Sequence, residues 1–332
     1  MNKEIRNIIQ STDLNNTVKK RSSIIGLLYN IRILILVIII ITLFSLLYKG
    51  FFSLNTMNSI LFLVSAYGTI AIGQTLVILI GGLDVSVGGI MSISGLLLIK
   101  LMPYGSSVAV SACILSGILI GFLNGFIITR FKVNSLITTI GMSFLLGGVA
   151  FLIADGTIHL KNNPMVDLGN SVLWYIPYIA IIYVTLTLLV QYILKRTTIG
   201  LKFYCVGADR LSCDFSGISK YNIELLAFIL SGLFASLGGF IYSIKLAAAS
   251  PLIGSDVPIY VITAVLLGGT TIGGGYGDVI KTLSGIFLIT IITKGLTLLN
   301  VAAYSQNMII GIILIFLLFI GRKLTARGRL FI

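Results

Sequence analysis

The feature that most constrains this chain is its series of apolar runs of about 20 residues, the length that spans a bilayer as a helix. The stretch ILILVIIIITLFSLL at 33–47 is the plainest of them. In lipid every backbone N–H and C=O must be satisfied within the protein, so such runs fold as helices. A membrane barrel needs alternating segments of about ten residues, and these runs do not alternate. A soluble core is excluded by composition. The 332 residues are 57% hydrophobic and 10% charged, where a soluble domain is typically about 25% charged. The expected fold class is an all-α polytopic membrane protein.

Glycine, proline and charge punctuation places ten transmembrane helices, at 33–48, 57–80, 85–101, 107–129, 135–154, 173–194, 223–244, 257–272, 279–299 and 305–320. The net charge of +13 does not suggest nucleic acid, because the basic residues flank apolar runs as topology signals and lipid-headgroup contacts do. With both termini cytoplasmic, 18 of the 23 Lys and Arg lie inside and five (Lys49, Lys100, Lys161, Lys245, Lys294) outside, which satisfies the positive-inside rule. The domains follow: a cytoplasmic polar leader at 1–32, one transmembrane domain at 33–323 and a cytoplasmic tail at 324–332. The leader is either a surface-lying helix, from the spacing of Ile5, Ile8 and Ile9, or disordered. The first apolar run is expected to be an uncleaved anchor, since no small-residue cleavage site follows it. Cys113, Cys205 and Cys213 are isolated and fit neither a disulfide nor a metal site, and His159, the single histidine, is assigned to an exterior loop.

One polar interruption is too long for a simple turn. It runs over 195–224, KRTTIGLKFYCVGADRLSCDFSGISKYNIE, and carries Lys195, Arg196, Lys202, Arg210 and Lys220. It therefore faces the cytoplasm, with 195–222 as a docking loop. A short helix is expected over 206–218. Asp209 would start it by capping the amide of Leu211 or Ser212. Leu211 and Phe215, four apart, would share its contact face. Gly217 would stop it in a left-handed conformation, with Gly207 shaping the approach and Ile218 closing the motif. The alternative is a solvated loop whose apolar residues rest on the membrane.

Two glycine-rich breaks interrupt the apolar runs. In GGLDVSVGG (81–89), Gly81 and Gly82 end a helix and Asp84 is an acid in apolar surroundings. Asp84 is either the cap of the next helix, accepting from the Ser86 or Val87 amide, or a functional intramembrane acid; the two roles are compatible. Gln74 and Asn124 either bond between helices or line a polar path. The second break, GGTTIGGGYGDVIKT (268–282), begins at Gly268 and Gly269. It fails the phosphate-loop pattern, because Ile280 stands where glycine should precede Lys281. Asp278 is assigned as the cap of the next helix. The resemblance of 78–89 to 265–276 is a chance match of two breaks on one side, since an inverted repeat would put them on opposite sides. Glycines at 117, 121 and 125, and at 232, 238 and 239, permit close helix packing. No catalytic triad, metal cluster or carboxylate–lysine relay is present in the pattern, so neither an enzyme nor a cofactor is expected.

These residues are similar to a known family. GGLDVSVGG resembles the signature of the ribose-type ABC importer permeases, RTTIGLKFYCVGADRLSCDFSGI resembles their cytoplasmic loop, and AVLLGGTTIGGGYGDVIKTLSGIFL resembles their C-terminal signature. Order and spacing agree over about residues 55–323. The resemblance implies a ten-helix permease subunit in a bacterial inner membrane, paired with a second copy or a paralogue. A separate ATPase would dock below and an extracytoplasmic binding protein would deliver a small sugar-like solute. Three departures stand out. Asp209 replaces the family asparagine, Ser212, Cys213 and Asp214 replace an alanine-alanine-arginine run, and Asn134 and Ser135 stand where proline is frequent. The alternative, suggested by Asp84 and the broken helices, is an ion-coupled secondary transporter; a third is a non-transporting scaffold.

Overall fold

The structure is a computed structural model and describes residues 35–160, 163–174, 176–209, 213 and 217–326. Within these residues the helices are α1 (Ile35–Leu47), α2 (Leu54–Leu79), α3 (Val87–Leu101), α4 (Ser106–Phe131), α5 (Ser135–Ile153), α6 (Pro164–Asn170), α7 (Tyr178–Arg196), α8 (Thr198–Ala208), α9 (Lys220–Leu246), α10 (Val257–Leu267), α11 (Val279–Leu298) and α12 (Ala303–Ala326). Two small antiparallel pairings complete the fold. β1 (Ile158–His159) lies against β4 (Ala248–Ala249), and β2 (Val172–Leu173) lies against β3 (Ile176–Pro177).

Among the described residues seven helices are long and apolar enough to cross a membrane: α2, α3 with the 3-10 turn after it, α4, α5, α7, α9 and α11. The expected spans at 33–48, 257–272 and 305–320 correspond to shorter apolar helices, Ile35–Leu47, Val257–Leu267 and Ala303–Leu317. The chain is thus an all-α polytopic membrane protein. The leader at 1–32 lies outside the described residues, and α12 runs through 320 to Ala326.

The helix starts follow local capping chemistry. Ser53 accepts the Thr56 N–H, Asn134 the Leu136 N–H, Thr197 the Gly200 N–H, Ser219 the Asn222 N–H and Asp278 the Ile280 N–H. Each satisfies one of the amides that a helix N-terminus leaves unpaired.

α2 is the centre of the bundle. Of its most apolar stretch 83% is buried, against 17% for α5 at the periphery. It packs against α7, α9, α10 and α11, while α3 lies among α4, α5 and α9. α4 and α9 meet backbone to backbone. A Cβ at Gly117 would overlap the Gly232 carbonyl oxygen, one at Gly232 would overlap that of Gly117, and one at Gly121 would overlap that of Phe228. Lipid provides no hydrophobic drive between helices, so backbone contact and dispersion hold such a pair.

Two expected spans differ from the structure. The helix placed at 173–194 begins at Tyr178, because Val172–Leu173 pair with Ile176–Pro177 and Trp174 turns left-handed at φ +50. Pro177 accounts for the difference, since it has no N–H to offer a helix begun at 173 and its ring clashes with the preceding turn. The helix placed at 257–272 stops at Leu267, because Gly269 turns left-handed at φ +89. His159, expected in a loop, is exposed on β1.

Candidate functional site

The site grows out of the last turn of α2. The N–H of Gly81 (φ +79) donates to Ile78 O at 2.9 Å, and that of Gly82 donates to Val77 O at 2.9 Å. This is a Schellman turn, and it requires a left-handed residue at the position Gly81 fills. The terminal carbonyl of α2, at Leu79, is satisfied from a distance by the Gly275 N–H at 2.8 Å.

Residues 82–85 belong to no helix or strand, and their polar groups bond to side chains of other helices. Leu83 N–H donates to Ser135 Oγ (3.1 Å), Val85 N–H donates to Thr139 Oγ1 (3.1 Å), and Thr139 Oγ1 donates to Leu83 O (3.2 Å). Gln74 fits the Asp84 backbone when its amide nitrogen faces the Asp84 carbonyl. It then donates to that carbonyl at 3.0 Å and accepts the Asp84 N–H at 3.3 Å.

The Asp84 side chain is fully buried. Its Oδ1 accepts the Ser86 N–H (3.0 Å) and the Ser86 hydroxyl (2.6 Å), and its Oδ2 accepts the Ser231 hydroxyl from α9 (2.7 Å). Ser86 Oγ in turn accepts from Asn124 Nδ2 of α4 at 2.8 Å. Asn124 Oδ1 is buried and has no partner among the described residues. Asp84 thus binds the residue before α3, which begins at Val87, and at the same time ties α9 directly and α4 through Ser86. Neutral donors meet it, and an ion pair lies elsewhere, between Lys195 and Asp278. A carboxylate held this way is an anchor between helices, since buried ions need hydrogen bonds or partners on each oxygen.

The second break repeats the turn of the first. Gly269 N–H donates to Leu266 O (2.9 Å) and Thr270 N–H donates to Val265 O (3.3 Å), so α10 also ends in a Schellman turn. Gly268 packs on the first turn of α11, where a Cβ would lie 2.7 Å from Lys281 O. The two breaks touch: a Cβ at Gly274 would lie 2.8 Å from Gly81 N. The likeness of 78–89 to 265–276 is therefore shared capping chemistry at neighbouring places.

On the same side, α8 buries Phe203 and Val206, and the Tyr204 hydroxyl donates to Gly277 O at 2.9 Å. Val206 and Gly207 belong to the last turn of α8 rather than to a new helix starting at 206, because capping at Thr197 starts α8 early and carries it to Ala208. Asp209 ends α8 in an extended conformation. Its N–H donates to Cys205 O at 3.1 Å and its carbonyl accepts the Cys213 N–H at 3.4 Å. Ile218 N–H donates to Cys213 O at 3.1 Å, and Gly217 has φ +68. Leu211 and Phe215, the expected contact face, lie outside the described residues. Beside α8 a surface cavity of about 430 Å³ is lined by Lys195, Tyr204, Tyr276, Asp278 and Lys281 among others. In it Lys195 sits 4.9 Å over the Tyr204 ring and 3.7 Å from Asp278.

The structure therefore brings Gln74, Gly82, Asp84, Ser86 and Asn124 into one buried cluster, with Gly81 exposed at the turn beside it, and sets Gly207 and the 268–277 loop against that turn. Sequence reasoning missed Ser231, Thr139 and the packing role of Ser135, Gly274 and Gly275. Ser231 sits one residue before Gly232 on the small-residue face of α9, which is the signal that it points into a helix contact.

Comparison with known proteins gives consistent matches. A family model described as branched-chain amino acid transport system / permease component matches residues 56–318. The ribose import permease protein RbsC of Escherichia coli (strain K12) is 30% identical over 299 residues, covering 87% of this chain and 92% of the relative. RbsC of Bacillus subtilis (strain 168) is 30% identical over 328 residues, 95% of this chain and 99% of the relative. The autoinducer 2 import system permease protein LsrC of Photorhabdus luminescens is 31% identical over 297 residues, 88% and 89% of the two chains. No solved structure matches the chain.

Proposed function

This chain belongs to the branched-chain amino acid transport system permease family, and from that premise we propose that it carries a small sugar or sugar-like solute into the cell. It is a multi-pass protein of a bacterial inner membrane and the permease subunit of an ATP-binding-cassette importer. The observation that carries the sugar reading is the near end-to-end match to ribose import permeases, 95% of this chain against 99% of the Bacillus subtilis relative. The LsrC match keeps a sugar-like signal molecule in range.

The finer picture has ten spans, both termini inside, and a pore built with a second permease copy or paralogue. An extracytoplasmic binding protein delivers the solute, and an ATPase pair docks on the 195–222 loop. ATP is hydrolysed on that partner. Within the permease, Leu211 and Phe215 form the coupling surface of the loop, and Gly207, Asp209, Gly217 and Ile218 set its shape. Gln74, Asp84, Ser86 and Asn124 hold the break that flexes in transport, and Gly268 and Gly269 shape the second break. The anchoring of Asp84 by the neutral donors Ser86 and Ser231 supports this reading over ion-coupled transport, which needs a carboxylate that exchanges its ion.

The test is uptake of ribose and related sugars into proteoliposomes holding the permease with its ATPase and binding protein. Uptake that continues with an uncoupler and stops without ATP is the expected result. Uptake that follows a proton or sodium gradient without ATP overturns it. In the same system a Leu211→Ala, Phe215→Ala variant should lose the ATPase on purification; if it stays bound and uptake is normal, 195–222 is not the docking loop.

A further inference from the structure

We infer that the backbone junction of Gly207, Leu79 and Gly275 passes movement of the docking loop to the buried break at Asp84, with Gly207 and Tyr204 as positioning residues. The inference rests on the reading of 195–222 as the ATPase-facing segment and adds the route by which that segment acts on the membrane helices.

Three chain segments meet here with no side chain between them. The Leu79 carbonyl accepts the Gly275 N–H at 2.8 Å. Gly207 lies against the same carbonyl, so a Cβ there would overlap both Leu79 O and Gly275 N. A Cβ at Gly274 would lie 2.8 Å from Gly81 N, 2.9 Å from Leu79 O and 3.0 Å from Gly207 Cα, and one at Gly275 would lie 2.7 Å from Ala208 Cα. Gly274 and Gly275, at φ +81 and +73, hold the left-handed turn that makes the approach possible.

Side chains absorb a displacement by changing rotamer, whereas packed backbone has no such slack and hands it on. On one side of the junction α8 and the glycine loop move as a block. Phe203 and Val206 are buried, and Tyr204 is bonded to Gly277 at 2.9 Å. Gly207 stands two residues before Asp209, where α8 ends and the remainder of the docking loop begins. On the other side, Leu79 is five residues from Asp84, and the Schellman turn at Gly81 and Gly82 stiffens the link. Asp84 is fixed to Ser86 and Ser231, and the flanking amides of Leu83 and Val85 are fixed to Ser135 and Thr139 of α5. A push on α8 therefore reaches the starts of α3 and α5, and α9 at Ser231, through one chain of bonded contacts.

The test uses the assembled transporter in proteoliposomes and reads solute moved per ATP hydrolysed. Gly207→Ala should keep the ATPase bound and hydrolysing while uptake per ATP falls at least about fivefold, the size of a typical coupling between sites. Tyr204→Phe loosens the block without filling the junction, so it gives the reading if Gly207→Ala fails to insert. It should lower uptake per ATP about two- to tenfold, the worth of one hydrogen bond. A merely structural defect would lower the amount of transporter and leave the ratio alone. Unchanged uptake per ATP in Tyr204→Phe and in any inserted Gly207→Ala protein overturns the relay. So does loss of the ATPase from either variant, which would make this surface part of the dock. The docking reading fails separately, on the Leu211→Ala, Phe215→Ala result.

Discussion

The two glycine breaks use one local code for different ends. Both α2 and α10 stop in Schellman turns, at Gly81 and Gly269, and in both an aspartate accepts the amide two residues on, Asp84 from Ser86 and Asp278 from Ile280. Yet Asp84 is fully buried and tied to α9 directly and to α4 through Ser86, while Asp278 is partly exposed and its further partner is Lys195 at 3.7 Å. Capping motifs thus fix where a helix stops, and the neighbours decide whether the same carboxylate becomes a cross-brace or an end piece.

The largest expected effect separates the aspartates. Asp84→Ala leaves the buried Ser86 N–H without an acceptor, a cost of about 1–3 kcal/mol, and detaches α9 from the break. ATP-driven uptake should fall far more than the amount of inserted protein. Normal uptake by an assembled Asp84→Ala transporter would reduce this carboxylate to a dispensable cap and erase the contrast. Next come the turns, where the breaks should behave alike. Gly81→Ala and Gly269→Ala each force a left-handed alanine, costing about 1–2 kcal/mol, so their thermal unfolding shifts should be similar; a large inequality would mean that the turns are not equivalent. Asp278→Ala removes a cap worth about 1 kcal/mol, and its uptake per ATP should remain near that of the parent. Lys195→Ala is the smallest change. Its ion pair is half exposed, and such pairs contribute about 0–1 kcal/mol, so raising the salt concentration should narrow any difference in melting temperature.

What the sequence disclosed is what is local. Gly81, Gly82 and Asp278 act within a few residues of themselves, and their patterns place the helix ends. The hydrophobic runs place the central spans. The failures have equally physical causes. The apolar runs around Pro177 and up to Ile272 outweigh the breakers they contain, Pro177 in one and Gly268 and Gly269 in the other. The partner of Asp84 was invisible because Ser231 lies 147 residues away and looks like any serine on a small-residue face. The Leu79–Gly275 contact is made by backbone atoms, which have no signature in side-chain identity.

The division of labour on the Asp84 carboxylate also sets an order of events during biosynthesis. Oδ1 is matched by Ser86, two residues on, but Oδ2 waits for Ser231, 147 residues later. At about 5–20 residues per second, the ribosome needs roughly 7 to 30 s to deliver that partner. Through this interval the nascent chain holds an acid in lipid surroundings with one oxygen satisfied by its own neighbour. The bundle locks only when α9 arrives, so the centre of the protein is among the last parts to become native.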